Sequence, residues 1–400
     1  MMKKRLIVFA CCALMAAVAT ATEVGEAAAS LVRLGFEDIR ISLAGSTVYV
    51  SVEPTAYRGT FRGAGVAIEE LGRLFPEATA IELAVTEYQS PQVAVHARRY
   101  EGEWKASVDY ATDAITATLG QSSAEHSSTG RVDLTLYPMV SLDNHRFDIL
   151  YEYIVSIAPS LELTLWRGNR ITLQPVFPIA TNVWHERSNA YIRIGVASVS
   201  QQLCLGERLK ATISGGMFMN NVLGFDAALA YRVGQSLTLG LQAGLVGDAY
   251  PGTDNYEFDN PDRLTVLGKA SYYHAPTRLE AGLTGGRFIY GDYGARLDIT
   301  RHFGEYAIGI FGILTGGEHN AGFHFAIPMG GKRQMRKGAF RLMLPEYFDL
   351  EYNMVTYNKY AAERMGRQNE TRPDVNRSAH NWQAAYVEQY LQKYLEGDLK

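Results

Sequence analysis

Residues Phe225–Leu245 read FDAALAYRVGQSLTLGLQAGL. Phe225, Ala227, Leu229 and Tyr231 alternate with Asp226, Ala228, Ala230 and Arg232. After a turn signal at Val233-Gly234-Gln235-Ser236, Leu237, Leu239, Leu241, Ala243 and Leu245 alternate with Thr238, Gly240, Gln242 and Gly244. A period of two puts successive side chains on opposite faces of a strand, and a short break of turn residues joins two strands as a hairpin. Each strand keeps one apolar face over roughly the 9 to 11 residues that a tilted strand needs to cross a bilayer.

The same text recurs further along. Leu279, Ala281 and Leu283 oppose Arg278, Glu280 and Gly282, while Ala295, Leu297 and Ile299 oppose Arg296, Asp298 and Thr300. Tyr306, Ile308, Ile310 and Gly312 run up the next strand. Ala275-Pro276-Thr277 and Phe303-Gly304-Glu305 have hairpin lengths, and the acidic stretch Gly247 to Asp262 reads as a surface loop. Residues 131–354 therefore predict a mainly β fold, an antiparallel transmembrane β-barrel of about 12–14 strands. Trp166, Tyr231, Tyr272, Tyr273, Phe288, Tyr290, Phe303 and Tyr306 near strand ends fit an interfacial aromatic girdle. A soluble β-sandwich also alternates, but so many successive long strands with short turns are unusual for one.

Upstream, residues 22–100 read as a small α/β domain. Glu23 to Leu34 is helical, Asp38 to Leu43 and Thr47 to Val52 form a hairpin about Ala44-Gly45-Ser46, and Gly63 to Phe75 is helical up to Pro76. Ala80 to Val85 and Val93 to Ala97 add two strands, separated by Gln89-Ser90-Pro91. Residues 101–130, which include the run GQSSAEHSSTG at 120–130, read as a linker by composition. Residues 355–400 read as a polar tail with one helix at Gln383 to Leu395, where Tyr386, Tyr390 and Tyr394 fall four apart.

The first 21 residues have the form of a signal peptide. Lys3, Lys4 and Arg5 precede the apolar run Leu6 to Val18, and Ala19-Thr20-Ala21 supplies the small-x-small cleavage pattern. Its removal takes the formal charge from −4 to −7 and leaves Cys204 as the only cysteine, which excludes an internal disulfide. The acidic balance, with Lys and Arg widely spread, argues against nucleic acid as a partner. Glycine (38) and tyrosine (24) are enriched, as suits strands with tight turns and half-exposed aromatic positions.

Two stretches are similar to a known family. GRFIYGDYGARLDITRHF at 286–303 and FHFAIPM at 323–329 resemble the C-terminal signature of the YjbH-type outer-membrane proteins. LGFEDIRI at 34–41, Val48-Tyr49-Val50 and YRGTFRG at 57–63 are similar to that family's small α/β region. Arg170 to Val176 and Asn189 to Gln202 fit its barrel portion more loosely, so the resemblance covers residues 30 to 330. It implies a non-enzymatic barrel that assists exopolysaccharide export or assembly in the outer membrane, with the α/β domain periplasmic. Implied partners are outer-membrane lipid, polysaccharide and periplasmic export proteins.

No enzyme motif stands out: there is no P-loop, no G-x-S-x-G elbow, no H-E-x-x-H and no paired-cysteine metal site, so neither a cofactor nor a metal is expected. His145, His185, His302, His319 and His324 have no ligand spacing and read as loop or girdle residues. Glu162, Lys210, Asp226, Arg232, Lys269, Arg278, Glu280, Arg296 and Asp298 oppose the apolar faces and would point into a lumen. There they would pair and fill it, giving a plugged structural scaffold, or line a path that hydrogen-bonds sugar hydroxyls. A carboxylate pair for glycoside hydrolysis is the third option, although no spacing fixes a distance between carboxyls. Arg58, Arg62, Glu69 and Glu70 are either a docking face of the α/β domain or simply its solvated side. Cleavage after Ala21 predicts a mature chain beginning at Thr22; intact-mass analysis of the exported protein checks it, and a retained leader would remove the export argument.

Overall fold

The structure is a computed structural model that describes residues 22–120, 124–143, 151–183, 188–252, 255–353, 365–373 and 380–399. The expected signal peptide lies outside the described residues, as do His145 and His185. The chain divides into two compact units, Met1–Ser128 with Tyr390–Lys400, and Thr129–Gln389.

The first unit is the α/β part. Helix α1 (22–33) ends at Gly35, whose φ of +90° suits a residue without a Cβ, and the Phe36 N–H reaches back to the Leu31 carbonyl. Strands β1 (Glu37–Ala44) and β2 (Thr47–Glu53) form the expected hairpin, and α2 (Thr60–Leu74) crosses over to β3 (Ala80–Glu87), which runs parallel to β2. A crossover helix is what a parallel pair needs. Phe61, Ala64, Ile68 and Leu71 are the buried stripe of α2, at helical spacing. β3 turns into β4 (Ser90–Tyr100) through Tyr88 and Gln89, both at positive φ, so these strands run longer than the sequence indicates and Pro91 lies inside β4.

Residues 101–130 are not a linker. They hold β5 (Glu103–Asp109), which completes a sheet of order β1-β2-β3-β4-β5, and α3 (Thr112–Leu119). β5 is an edge strand that buries only Val108, and α3 buries only Thr112, Ile115 and Leu119. Neither carries enough apolar text to stand out from a polar background. The proposed docking face also dissolves. Arg58 and Arg62 are buried, Arg62 donating to the Arg58 and Leu399 carbonyls, while Glu70 takes Ser30 and Arg73. The first unit's share of the C-terminal helix α4 (Ala384–Leu395) stacks Tyr390 on Phe61 at 5.5 Å.

The second unit is one large sheet. Its strands are β6 (Val132–Asp143), β7 (Glu152–Leu163), β8 (Asn169–Thr181), β9 (Arg193–Cys204), β10 (Leu209–Phe218), β11 (Val222–Val233) and β12 (Leu237–Pro251). After the short β13 (Tyr256–Phe258) come β14 (Arg263–His274), β15 (Leu279–Arg287), β16 (Tyr293–Phe303), β17 (Tyr306–Thr315) and β18 (Glu318–Pro328). β12 and β13 occupy much of the expected Gly247 to Asp262 loop. β19 (Phe340–Met343) and β20 (Tyr347–Asn353) close the list.

Apart from β13, the strands from β6 to β18 pair antiparallel in chain order. β20 continues the run against β18, from Gly322↔Asn353 to Pro328↔Tyr347. β19 instead pairs parallel with β6, from Phe340↔Val132 to Met343↔Thr135, so the sheet is mixed and not wholly antiparallel. The two ends of the strand order therefore belong to one stretch of chain, interrupted only at residues 344–346. Arg341 holds this junction with a bidentate grip on Asp133 (2.9 and 2.7 Å), and Arg336 joins the same carboxylate at 2.7 Å. The Arg336 side chain is buried against Asp133.

Gly65 in α2 tests the packing of the first unit. A Cβ there would lie 2.2 Å from Cδ1 of Tyr394. Gly65→Ala gains about 1 kcal/mol of helix propensity, but overpacking against a ring costs about 1–3 kcal/mol. The expected net is destabilisation, read as faster amide exchange across α2 in the intact protein; unchanged or slower exchange contradicts this packing.

Candidate functional site: the polar buried face of the large sheet

The large sheet buries its polar side and exposes its apolar one. In β11, Phe225 is 64% exposed and Asp226 is 4% exposed. Leu229, Tyr231, Leu239, Leu241, Leu297, Ile299, Ile308 and Ile310 are exposed, while Ser160, Thr172, Ser198, Ser214, Gln242 and Thr265 are buried. Two girdle expectations are corrected. Tyr273 and Phe288 are fully buried, whereas Trp166, Tyr231, Tyr272, Phe303 and Tyr306 are exposed. A residue at a strand end faces whichever side its parity dictates, and Tyr273 has the parity of Ser271, whose hydroxyl meets Glu280.

A strap of chain, residues 365–373, lies against this buried face. Asn369 donates through Nδ2 to Asp226 Oδ2 (2.9 Å) and to Thr265 Oγ1 (3.2 Å). Gln242 Nε2 spans both oxygens of Asp226 (3.1 and 2.9 Å) and the Asn369 carbonyl (3.0 Å). Ser198 Oγ and Arg170 Nη2 donate to the Thr371 carbonyl at 2.9 and 3.5 Å. The Met219 N–H reaches Glu370 O, Asn220 Nδ2 reaches Gln368 O, and the Ile289 N–H reaches Arg367 O, at 3.1, 3.3 and 3.0 Å. Gly366, at φ +60°, donates its N–H to Asp292 at 2.9 Å.

Two further polar clusters sit in the same unit. Glu280 accepts from His302 Nε2 (2.9 Å) and Ser271 Oγ (3.2 Å), and His302 packs edge-on to Tyr273 and Tyr386. His380 lies 4.7 Å from Tyr386 and 5.1 Å from His302 between ring centres, and Tyr273 donates its hydroxyl to Gln389. His302 is therefore a buried partner and not a loop or girdle histidine. On the other flank, Arg296 bridges Asp298 and Glu351, both at 2.7 Å, with its guanidinium 4.1 Å over Phe311; His324 lies 4.0 Å from Asp298.

The structure brings two pairs of the anticipated residues together. Asp226 and Lys269 lie within electrostatic reach of each other, and Arg296 joins Asp298. Lys210 is buried with Nζ 3.2 Å from Cys204 Sγ, Arg232 is buried, and Glu162 is half-buried opposite Thr172. Arg278 departs from the expectation: it is a left-handed turn residue (φ +55°) before β15, its carbonyl accepting from the His302 N–H. Pro276 breaks the ladder just ahead of it, so the alternation read from Leu279 onward does not extend back to Arg278. Sequence reasoning missed the strap, because its partners lie 74 to 201 residues away and it has no periodicity of its own.

The first unit holds a separate carboxyl pair. Ser128 Oγ bridges Asp38 (2.5 Å) and Glu53 (3.0 Å), and Glu53 also takes the Tyr88 N–H at 2.6 Å. Burial, reinforced by the hydrogen bond to and charge of Asp38, pushes the Glu53 carboxyl well above its ordinary range. No cluster of His, Cys, Asp and Glu that could hold a metal occurs among the described residues. No family model matches the chain, and no curated protein does. No helix among the described residues is long and apolar enough to cross a membrane, which says nothing of strands.

The shifted Glu53 gives a signed pH dependence. A raised folded-state pKa means the folded protein holds a proton that the unfolded chain has released. That contribution to stability is complete below the unfolded pKa and is lost as pH rises through the folded value. Glu53→Gln keeps an acceptor for Tyr88 and removes the charge. It should leave amide protection of β1 and β2 nearly unchanged at pH 4 and increase it at pH 8; an equal effect at both would refute a pH-linked cost.

Proposed function

We propose that the second unit closes into a thirteen-strand barrel embedded in a bacterial outer membrane. We further propose that the protein is a non-enzymatic component of exopolysaccharide export or assembly, with the α/β unit in the periplasm. The inverted faces of the large sheet carry the reading. Apolar area left in water costs about 25 cal/mol per Å², so the exposed leucine, isoleucine and phenylalanine along most of the long strands, such as β8, β11, β12, β16 and β17, favour lipid as their surroundings. In hydrocarbon each strand edge must also be paired, because an unpaired backbone group there costs several kcal/mol. The run of β19 and β20 answers that demand by pairing with β6 at one end and β18 at the other, with Arg341 and Asp133 at the seam. An odd number of strands accounts for the single parallel pairing, since the first and last then point the same way.

The resemblance at residues 286–303 and 323–329 supports the polysaccharide assignment, and the polar buried face suits a chain rich in hydroxyls. A second reading, a scaffold whose lumen is permanently filled, is favoured by the strap across that face. The third option, a barrel-embedded hydrolase, has less behind it. Glu280 and Asp298 are each held by a cationic or imidazole partner, and Asp226 by two amide side chains.

Fractionation of untagged protein, with gel mobility compared before and after boiling, is the test. Outer-membrane recovery and a boiling-dependent shift are expected. A soluble periplasmic protein with no shift removes the barrel, and unchanged secreted polymer on deleting the gene removes the export role.

A further inference from the structure

The strap is held in an unusual way for a filler. Five successive carbonyls, from Arg367 to Thr371, each accept a hydrogen bond from the sheet or its loops. The donors are the Ile289 and Met219 N–H groups, the Asn220 and Gln242 side-chain amides, and Ser198 with Arg170. Recognition through backbone oxygens does not depend on the strap's side chains. A wall that needed only to be filled would meet apolar side chains, since burying polar groups costs about 1–3 kcal/mol each unless they are paired. Among the strap's side chains, Asn369 donates to Asp226 and Thr265.

We propose that the strap occupies a glycan track: the donors that grip its carbonyl row bind the oxygens of a polysaccharide when the strap withdraws. This rests on the export reading above and names what the lumen recognises. A fully extended peptide carries one carbonyl about every 3.3 Å, so five span at most roughly 13 Å, comparable to two or three sugar rings. Hydroxyl and ring-substituent oxygens accept from Ser198, Arg170, Asn220 and Gln242 as the carbonyls do. Hydroxyls also donate, and Asp226, released from Asn369, is the acceptor for them. The strap is then an internal mimic of the polymer that keeps the polar path shut when no polymer is present.

The full-length protein in planar bilayers tests this, in three forms. Asn369→Ala removes the side-chain anchor. Gly244→Cys with Asn369→Cys, in a Cys204→Ser background, locks the strap when oxidised. A Cβ at residue 244 would lie 2.3 Å from Asn369 Nδ2, which brings the two cysteines within the span a disulfide bridges. The third form adds Gln242→Ala and Ser198→Ala to Asn369→Ala. The boiling-dependent shift establishes that each variant has folded.

The oxidised pair should conduct least and be indifferent to sugar. Asn369→Ala and the reduced pair should conduct several-fold more and be blocked by maltoheptaose or an oligogalacturonate. Loss of the Gln242 and Ser198 donors should weaken that block about tenfold or more, at about 1.4 kcal/mol per decade. A folded variant with no gain in conductance overturns the strap as the obstacle. Gained conductance without block by either oligomer, or block unaffected by the donor substitutions, overturns the glycan track and leaves the barrel standing. Loss of the heat shift in the wild-type protein instead removes the barrel and this inference together.

Discussion

The ladder of backbone hydrogen bonds from β6 round to β20 fixes everything else in the second unit. Once the register is set, parity alone decides which side chains share a face. Phe225 and Leu245 pair across the ladder on the exposed side, and Asp226 pairs with Gly244 on the buried one. A slip of one residue would carry Asp226, Gln242 and Thr265 to the apolar side, where each charged or amide group would lose its partners. The glycines opposite the polar residues contribute room. Gly244 leaves space that the Asn369 side chain fills, since a Cβ there would lie 2.3 Å from the Asn369 Nδ2.

That constraint also explains how the polar clusters are arranged. A buried charge is tolerable only when paired and hydrogen-bonded, and the buried face meets this with local combinations. Arg296 takes two carboxylates and the face of Phe311, Glu280 takes a histidine and a serine, and Asp226 takes two side-chain amides. The same logic operates in the first unit on a smaller scale. There Glu53 and Asp38 lie together on Ser128, and burial with the neighbouring Asp38 favours the protonated form of Glu53.

Legibility from the sequence followed the periodicity. Strands such as β11, β12 and β16 carry a period of two over most of their length, and the turns at residues 234–236 and 304–305 are written in turn residues, so both were readable. β5 and α3 were not, because an edge strand and an eight-residue helix each bury too few side chains to leave a pattern. A parity error accounts for Tyr273, since an aromatic near a strand end looks like a girdle residue unless the register is known, while Phe288 lies beyond the end of β15, where no ladder sets its side. Arg278 was misplaced for a related reason, since alternation was carried across a turn where the backbone is left-handed. The buried character of Asp226, Lys210 and Arg232 was legible, but their partners were not, because long-range pairs leave no local signal.

The strap is the clearest case of sequence text that is meaningful only in context. Residues 365–373 are MGRQNETRP, a run that reads as a polar tail because it is one. An apolar side chain could not stand at Asn369, since Asp226 and Thr265 would lose the amide that donates to them. A sheet whose buried side is polar therefore requires either water or another polar chain against it. Conformity to that demand calls for accessible backbone carbonyls and an amide at residue 369, not for hydrophobic periodicity. The same requirement would be met equally by a chain of sugars, which is why a self-bound peptide and a transported polymer are compatible with one set of donors.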